Sequence, residues 1–370
     1  MRDFSSAARI VVKIGTNCLT KKNTIDVDYV QDISGQISRV LNAGGQVQRR
    51  VLIVTSGAIG MGAGEIGISN KITNINMRQA CAAIGQPLLM QEYRQAFARQ
   101  QMKVAQVLLT ADVLTNRKSY LNLRHAVETL LSLGIIPIFN ENDSIATDEI
   151  GSAFGDNDTL SAYMASKVDA DLLIMLSDID ALYDGDPRKY SNATPLRTVD
   201  KITDAIEKNA GAAGSTFATG GMATKIQAVK IAKRAGCQVV LADGKQDQII
   251  ERIIAGDEVG TLFLADSPLS NRQRWILNSR PSGNITIDAG ALQAIRRRKS
   301  LLPPGVVRVE GVFKRGEVVL VNEIVKMVSA FNSSELESII GKHSSEIRTI
   351  LGRDRKDVIA RPEDIVFLDR

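Results

Sequence analysis

The sequence predicts an α/β fold, a three-layer αβα sandwich with a mostly parallel central sheet, followed by a small β-rich domain. Up to about residue 265, short runs of Val, Ile and Leu alternate with stretches of helical length and periodicity. Continuous apolar strands that alternate with helices indicate a parallel sheet covered on both faces. Ligands of such sheets usually lie beyond the carboxyl ends of the strands, so we expect functional side chains directly after each strand.

The apolar runs predict the strands, and the periodic stretches between them predict the helices. Strands are expected at 10–12, 51–55, 104–108, 135–139, 171–176 and 238–242. Helices are expected at 30–42, 77–100, 120–133, 159–168 and 223–235. Gly236 follows the last helix, where a residue in the left-handed conformation often ends a helix.

The pattern changes in the last hundred or so residues. Residues 266–282 contain Pro, Ser and Asn and predict a linker between a domain at 1–265 and a domain at 283–370. Short strands are expected at 284–288, 306–309, 316–321 and 323–328, with turns at 303–305 and 314–316. Short strands separated by turns are typical of a small β-barrel or sandwich.

Composition excludes several classes of protein. The chain has 370 residues, of which 44% are hydrophobic, and a net charge of +5. Its three cysteines form no CxxC pair, which argues against a disulfide framework or a zinc site, and two histidines are too few for a His-rich metal site. No apolar run approaches the roughly 20 residues of a membrane span, so we expect a cytoplasmic protein without membrane contact.

Three familiar ligand-binding motifs do not apply. Residues 62–67 match GxGxxG, but they begin several residues after a strand and have no acidic residue about 20 positions further on. A Walker-type phosphate loop, GxxxxGK[ST], does not occur in the sequence. The acidic stretch 178–186 lacks the EF-hand residues at the fifth and twelfth loop positions.

Unusual residues stand at the ends of the first two predicted strands. Lys13 lies at the exit of the first strand, two residues before Gly15. Ser56 follows the second strand and precedes the glycine-rich residues 57–64, which predict a cradle of backbone N–H groups for an anion. Both features suit phosphate binding, although a solvent-facing lysine and a flexible turn are the alternatives.

Two further polar clusters follow the fourth strand. The first is residues 140–143, which end in Asp143, and the second is residues 155–158. Asp158 is predicted to cap the helix that begins at Thr159. Asp156 and Asn157 are not needed for capping, and we expect them to have functional roles.

Residues 219–225 lead into another helix through two glycines. The sequence places Lys225 in the first helical turn, where a cation opposes the helix dipole by about 0.3–1 kcal/mol. A bound anion nearby would reverse that penalty. The segment therefore predicts a phosphate site.

Two lysines from distant strand ends, with a carboxylate between them, suit phosphoryl transfer. This reaction needs positioning and positive charge around the transferring group, with Mg²⁺ bridging the phosphates. A carboxylate acceptor with a pKa of about 4.3 is already ionised at pH 7, so no general base is required. We therefore expect Asp156 to hold the lysines rather than to take a proton.

These motifs resemble those of the glutamate 5-kinases of the amino acid kinase family over nearly the whole chain. The matching segments are 11–16, 54–62, 140–147, 155–158, 177–188 and 218–225. The resemblance implies transfer of the ATP γ-phosphoryl group to glutamate at the start of proline biosynthesis. It also implies Mg²⁺, feedback inhibition by proline, and a homodimer or homotetramer.

The resemblance also implies roles for individual residues. The catalytic residues would be Lys13, Asp156 and Lys225. Glutamate would bind to Ser56, Asp143 and Asn157. The nucleotide would contact Lys13, Ser177, Asp178, Thr219, Gly220, Gly221, Met222, Ala223, Thr224 and Lys225, and no metal-ligating side chain is implied.

The C-terminal part resembles a PUA domain through residues 283–295, 300–305 and 315–321. PUA domains elsewhere bind RNA, but aromatic residues for base stacking are sparse here, so a regulatory or stabilising role is favoured over RNA binding. Two alternative functions remain open. One is another amino-acid kinase such as an N-acetylglutamate kinase, and the other is an RNA-binding regulator with an inactive kinase domain.

Overall fold

The chain forms two compact units, Met1–Pro268 and Leu269–Arg370. The computed structural model describes residues 2–21, 24–44, 47–70, 72–110, 113, 116–145, 157–187, 189–190, 192–212, 221–266, 271–279, 281–342, 344–351 and 358–368. Among the helices that it describes, none is both long and apolar enough to cross a membrane.

The first unit contains an eight-stranded sheet in the order β5-β6-β4-β1-β7-β9-β10-β8. Its strands are β1 (Arg9–Ile14), β4 (Arg50–Val54), β5 (Lys103–Leu109), β6 (Ile135–Glu141), β7 (Leu172–Ser177), β8 (Thr198–Val199), β9 (Gln238–Asp243) and β10 (Thr261–Phe263). Strands β2 (Thr20–Lys21) and β3 (Thr24–Ile25) form a separate pair. Strand β10 pairs antiparallel with β9, and the other pairs of the large sheet are parallel. The predicted mostly parallel sheet is confirmed.

Helices cover both faces of this sheet. They are α1 (Thr16–Leu19), α2 (Val27–Asn42), α3 (Ala58–Glu65), α4 (Ile75–Arg99), α5 (Arg117–Ser132), α6 (Asn157–Lys167), α7 (Asp204–Ala212), α8 (Met222–Arg234) and α9 (Ile249–Ala255). Side chains along β1 alternate between two hydrophobic cores, with Ile10 and Val12 in one and Val11 in the other. This alternation follows from the two-residue period of a strand and produces the predicted three layers.

The predicted elements are found with small shifts at their ends. Gly236 has φ 82°, which confirms the expected left-handed residue after α8. Helix α2 begins at Val27 because Asp26 caps it, accepting a hydrogen bond from the backbone N–H of Tyr29. The shift that matters for function is at α6, which begins at Asn157 rather than Thr159.

One glycine in α3 and one in α4 permit an unusually close approach of these two helices. A Cβ atom added to Gly62 would lie 1.8 Å from the carbonyl oxygen of Cys81, and one added to Gly85 would lie 1.9 Å from that of Ala58. No side chain fits at either position. The lack of a side chain at Gly62 permits this close packing of the two helices, and the anion cradle expected at residues 57–64 stays a prediction.

The second unit contains a five-stranded sheet in the order β12-β11-β13-β14-β15. Its strands are β11 (Asn284–Ile287), β12 (Val306–Glu310), β13 (Val318–Val321), β14 (Val325–Val328) and β15 (Ile365–Phe367), and its helices are α10 (Asn271–Asn278), α11 (Ala289–Arg296), α12 (Ser333–Ser338) and α13 (Ser344–Leu351). Helix α10 lies within the segment predicted as a linker. The Lys326 ammonium group ties the end of this helix to β14 by donating to the carbonyl oxygens of Leu277 and Ser279.

A buried lysine ends α6 in the first unit. The side chain of Lys167 is almost fully buried, and its ammonium nitrogen lies 4.5 Å from the centre of the Tyr120 ring. Among the described residues, this nitrogen has no hydrogen-bond partner. Burial lowers the pKa of Lys167 to about 8 from an ordinary 10.5.

The low pKa of Lys167 predicts a pH-dependent stability. Between about pH 8 and 10.5 the unfolded chain binds a proton that the folded chain has lost, so this residue makes the free energy of unfolding rise with pH, by on the order of 3 kcal/mol in total. Chemical unfolding at several pH values should show this rise in the wild type. We expect Lys167→Met to remove it, and Lys118→Met, at an exposed lysine of α5, to retain it.

Candidate active site

The functional side chains lie where neighbouring parallel strands end. Strands β6, β4, β1 and β7 are adjacent in the sheet and run in the same direction. Lys13 is the penultimate residue of β1, Ser56 follows β4 by two residues, and Ser177 ends β7. The fold therefore collects on one sheet edge residues that are far apart in sequence.

Lys13 and Lys225 meet at one carboxylate. The Nζ atom of Lys13 lies 2.5 Å from Oδ1 of Asp158, and the Nζ atom of Lys225 lies 2.9 Å from Oδ2 of the same residue. The exposed fractions are 3% for Lys13, 5% for Lys225 and 0% for Asp158. The predicted convergence of the two lysines is confirmed.

The carboxylate between the lysines is Asp158, which corrects the expected capping role of this residue. Since α6 begins at Asn157, Asp158 stands in the first helical turn and its side chain points to the lysines rather than to the helix end. Asp156 lies outside the described residues, and its role stays a prediction. A predicted helix that begins at Asn157 places Asp158, Ser161 and Ala165 on one buried face. This spacing was the sequence signal that could have identified Asp158 as a site residue.

The charge of Asp158 is fixed by its surroundings. Burial by itself would raise the pKa of this carboxyl, but the ammonium groups of Lys13 and Lys225 outweigh burial and hold the pKa below its ordinary 3.8. Within this cluster of three side chains, two cations and one anion leave one positive charge. Such a site attracts an anionic group.

Lys225 belongs to the first turn of α8. The helix begins after Gly221, whose backbone is extended, and no side chain of a described residue caps it. The hydroxyl of Thr224 donates to the carbonyl oxygen of Gly221 at 2.8 Å. The first N–H groups of α8 and Lys225 belong to the same helix start, and both favour an anion. Thr219 and Gly220 lie outside the described residues.

The predicted nucleotide-binding pair stands at the end of β7. The Ser177 hydroxyl donates to Oδ1 of Asp178 at 3.1 Å, and the Asn17 amide donates to Oδ2 at 2.7 Å. Burial opposes ionisation of Asp178, but these hydrogen bonds lower the pKa of its carboxyl. Gly15 lies beside this pair, and a Cβ atom there would be 3.1 Å from the carbonyl oxygen of Leu176. The glycine lets the exit of β1 approach β7.

Two of the predicted acceptor-binding residues are in contact. The Asn157 amide nitrogen lies 3.0 Å from the hydroxyl oxygen of Ser56, 2.8 Å from the carbonyl oxygen of Thr55 and 3.0 Å from Oδ1 of Asn140. The other end of the amide, Oδ1 of Asn157, is buried and has no hydrogen-bond partner in the described part of the chain. A donor from a ligand would satisfy this buried oxygen.

Asp143 is the third predicted acceptor-binding residue. It follows the end of β6 by two residues and makes no hydrogen bond to Ser56 or Asn157 within the described ranges. Burial raises the pKa of its carboxyl, and the nearby positive charge of Arg78 opposes that rise. A role of Asp143 in glutamate binding stays a prediction.

The Mg²⁺ that the sequence analysis leads us to expect stays a prediction. Among the described residues, no group of three or more His, Cys, Asp or Glu side chains is placed to hold a metal ion. In phosphoryl-transfer sites Mg²⁺ usually keeps several waters and binds the substrate phosphates with one or two carboxylates. A dense cluster of protein ligands is not required for it.

Comparison with known proteins shows which family the chain belongs to. The model of the amino acid kinase family matches residues 8–243, and the model of the PUA domain matches residues 283–351. A glutamate 5-kinase of Methanosarcina mazei is 45% identical, with 99% of this chain and 97% of that protein aligned. The chain belongs to the glutamate 5-kinase family. A second glutamate 5-kinase, from Caldanaerobacter subterraneus, is 42% identical over 98% of each chain.

A solved structure shares the fold of the first unit. The carbamate kinase of Giardia lamblia superimposes with a TM-score of 0.50, covers 71% of this chain and all of its own, and is 16% identical. At this identity the likeness concerns the fold alone. Beyond the residues to which the sequence analysis assigned roles, the structure adds Asp158, Asn140 and Asn17 to the candidate site of this chain, together with Gln86, which accepts a hydrogen bond from the Asn140 amide.

Proposed function

We propose that this chain transfers the γ-phosphoryl group of ATP to the γ-carboxylate of L-glutamate, giving ADP and L-glutamyl 5-phosphate, the first step of proline biosynthesis. The observation that carries the proposal is the buried Lys13–Asp158–Lys225 cluster beside an amide oxygen that has no partner among the described residues. The near full-length similarity to glutamate 5-kinases supports the choice of substrate.

The transfer step needs electrostatic support and no proton acceptor. A γ-carboxylate oxygen of glutamate forms a bond to the γ-phosphorus while the bond from that phosphorus to the β-phosphate oxygen breaks. Lys13 and Lys225 offset the negative charge of the transferring group, and Asp158, which stays ionised, holds both ammonium groups in place. Mg²⁺ carried on the nucleotide phosphates would supply further charge neutralisation.

The polarity of Asn157 favours free glutamate as the acceptor. Its amide nitrogen is occupied by three protein oxygens, and its oxygen, which has no partner among the described residues, can only accept a hydrogen bond. The α-ammonium group is the one donor of L-glutamate at pH 7, and it carries a positive charge. N-acetylglutamate offers a neutral and bulkier amide at the same position, which fits this oxygen less well.

A coupled assay of ADP release tests the proposal. Glutamate should stimulate ADP release, and N-acetylglutamate at equal concentration should not. ADP release that N-acetylglutamate stimulates at least as well would assign the chain to a different acceptor. Absence of ADP release with either compound, together with salt-sensitive RNA retention on a filter, would favour the RNA-binding alternative.

Further parts of the proposal rest on the family. They are feedback inhibition by proline at or near the glutamate site, assembly into dimers or tetramers, and action in the cytoplasm. We also propose that the chain is divided into a kinase domain at 1–265, a linker at 266–282 and a PUA domain at 283–370, and that the PUA domain has no RNA partner. Added proline in the ADP assay tests the first of these. Light scattering of the purified chain tests the second.

Removing the Ser56 hydroxyl should weaken glutamate binding selectively. Ser56→Ala takes away one of the three acceptors of the Asn157 amide nitrogen and so holds that side chain less tightly. A loss of one such hydrogen bond predicts a rise of about 3- to 10-fold in KM for glutamate. KM for ATP should stay within about twofold, and Ser132→Ala, at an exposed serine of α5, should change neither. Equal rises in both constants would contradict the placement of the acceptor site.

A further inference from the structure

A buried relay of amides connects helix α4 to the acceptor site. The Asn140 amide nitrogen donates to Oε1 of Gln86 at 2.7 Å, and Oδ1 of Asn140 accepts from the Asn157 amide at 3.0 Å. Exposed fractions are 7% for Gln86 and 1% for Asn140, so water cannot readily replace these partners. Gln86 is thus two hydrogen bonds away from the free oxygen of Asn157.

Main-chain groups fix the direction of this relay. The backbone N–H of Glu141 donates to Oδ1 of Asn140 at 3.0 Å, and the carbonyl oxygen of Thr55 accepts from the Asn157 amide nitrogen at 2.8 Å. An N–H group can only donate and a carbonyl can only accept. Both amides therefore have a defined orientation, with the nitrogen of Asn140 facing α4 and the oxygen of Asn157 left free.

This orientation requires an acceptor opposite the Asn140 nitrogen, and Gln86 supplies it. A buried amide nitrogen without an acceptor is costly, so without Gln86 the Asn140 side chain would turn or move toward water. Its oxygen would then leave the Asn157 amide. The free oxygen of Asn157 would lose the orientation that suits an ammonium group.

Helix α4 holds Gln86 firmly in place. Gln86 and Tyr93 are seven residues apart, two helical turns, and therefore lie on the same face of α4. The Tyr93 hydroxyl lies 2.9 Å from the Thr55 hydroxyl oxygen, so the same face contacts the site a second time. Gly85, directly before Gln86, packs its backbone against α3. These contacts fix the backbone of α4 on both sides of Gln86.

We propose that Gln86 is a positioning residue which, through Asn140, orients Asn157 toward the ammonium group of the acceptor. The inference rests on the proposed function, because it assigns the ammonium group of glutamate to the free oxygen of Asn157. Gln86 itself acts through Asn140 and lies in the helix layer behind the strand ends. Its contribution is to acceptor selection rather than to the transfer step.

Two variants of Gln86 and one control test the proposal. Gln86→Met has a similar length but no acceptor, whereas Gln86→Glu keeps an acceptor oxygen for Asn140. Gln91→Met makes the same chemical change at an exposed position of α4. For each variant, KM for L-glutamate and for ATP is measured, together with the inhibition constant of glutarate, which has both carboxylates but no ammonium group.

We expect Gln86→Met to raise KM for glutamate about tenfold, the effect of losing one well-formed buried hydrogen bond, with KM for ATP and the glutarate constant within about twofold. Gln86→Glu should keep the ratio of the glutamate and glutarate constants within about threefold of wild type, and Gln91→Met should equal wild type. An unchanged KM in Gln86→Met, or parallel rises for glutamate and glutarate, would overturn the inference.

The outcome stays decisive if Gln86→Met does not fold. Gln86→Glu then tests the proposal alone. If this variant loses the preference for glutamate over glutarate, an acceptor oxygen at position 86 is not sufficient to orient Asn157, and the inference is overturned. Failure of the proposed function is recognised separately. In that case the wild type itself would show no glutamate-dependent ADP release.

Discussion

Replacement of Asp158 by alanine should both inactivate the enzyme and destabilise its first unit. The change leaves two buried ammonium groups facing each other without their shared carboxylate. Removing one partner from a buried ion pair typically costs about 3–5 kcal/mol of folding free energy. The lysines would also separate from the transferring phosphoryl group, so kcat should fall at least ~10²-fold. Chemical unfolding and ADP release measure the two effects.

A matched control shows whether the loss of stability is specific to Asp158 or follows from removing any aspartate in the first turn of a helix. Asp204→Ala removes an exposed acidic residue from the first turn of α7 and should change stability by less than about 1 kcal/mol. Asp156→Ala, tested in the same way, examines the role that the sequence predicted for that residue. Near-native stability and turnover in Asp158→Ala would show that the lysines do not depend on this carboxylate.

Sequence alone predicted the sheet, the helices and the two lysines because these features follow from local patterns. Apolar runs and helical periodicity define the strands and helices, and parallel strands necessarily bring Lys13 and Ser177 to one edge. Local patterns could not tell which of the two aspartates, Asp156 or Asp158, holds the lysines. The answer depends on where α6 begins, which is a matter of two residues and within the usual uncertainty of helix ends.

The contributions of Gln86 and Gly62 lay beyond sequence patterns for a different reason. Gln86 lies in a long helix, and only its hydrogen bond with Asn140, 54 residues away in sequence, indicates a functional role. Gly62 looked like part of an anion cradle because glycine permits both close backbone packing and phosphate approach. The contact with Cys81 shows the packing use, and it exists only in the folded chain, whereas the anion cradle stays a prediction.

Lys225→Ala should lower kcat at least ~10²-fold with a much smaller loss of stability than Asp158→Ala. The variant loses one cation that stabilises the transferring phosphoryl group, and loss of one such donor typically has an effect of this size. Asp158 keeps its ion pair with Lys13, so no buried charge is left alone. Lys230→Ala, which removes a lysine of the same helix paired with Glu207, should leave kcat near the wild-type value.

The comparison of the two substitutions separates catalysis from folding. If Lys225 acted only as a counter-ion for Asp158, Lys225→Ala and Lys225→Met would both lower stability, since neither side chain carries a charge, and kcat would fall only in proportion to that loss. If it stabilises the transition state, Lys225→Met should restore stability while kcat remains at least ~10²-fold low. Near-native turnover in either variant would remove Lys225 from the mechanism. The positive charge, rather than the packing of its chain, is what phosphoryl transfer requires at this position.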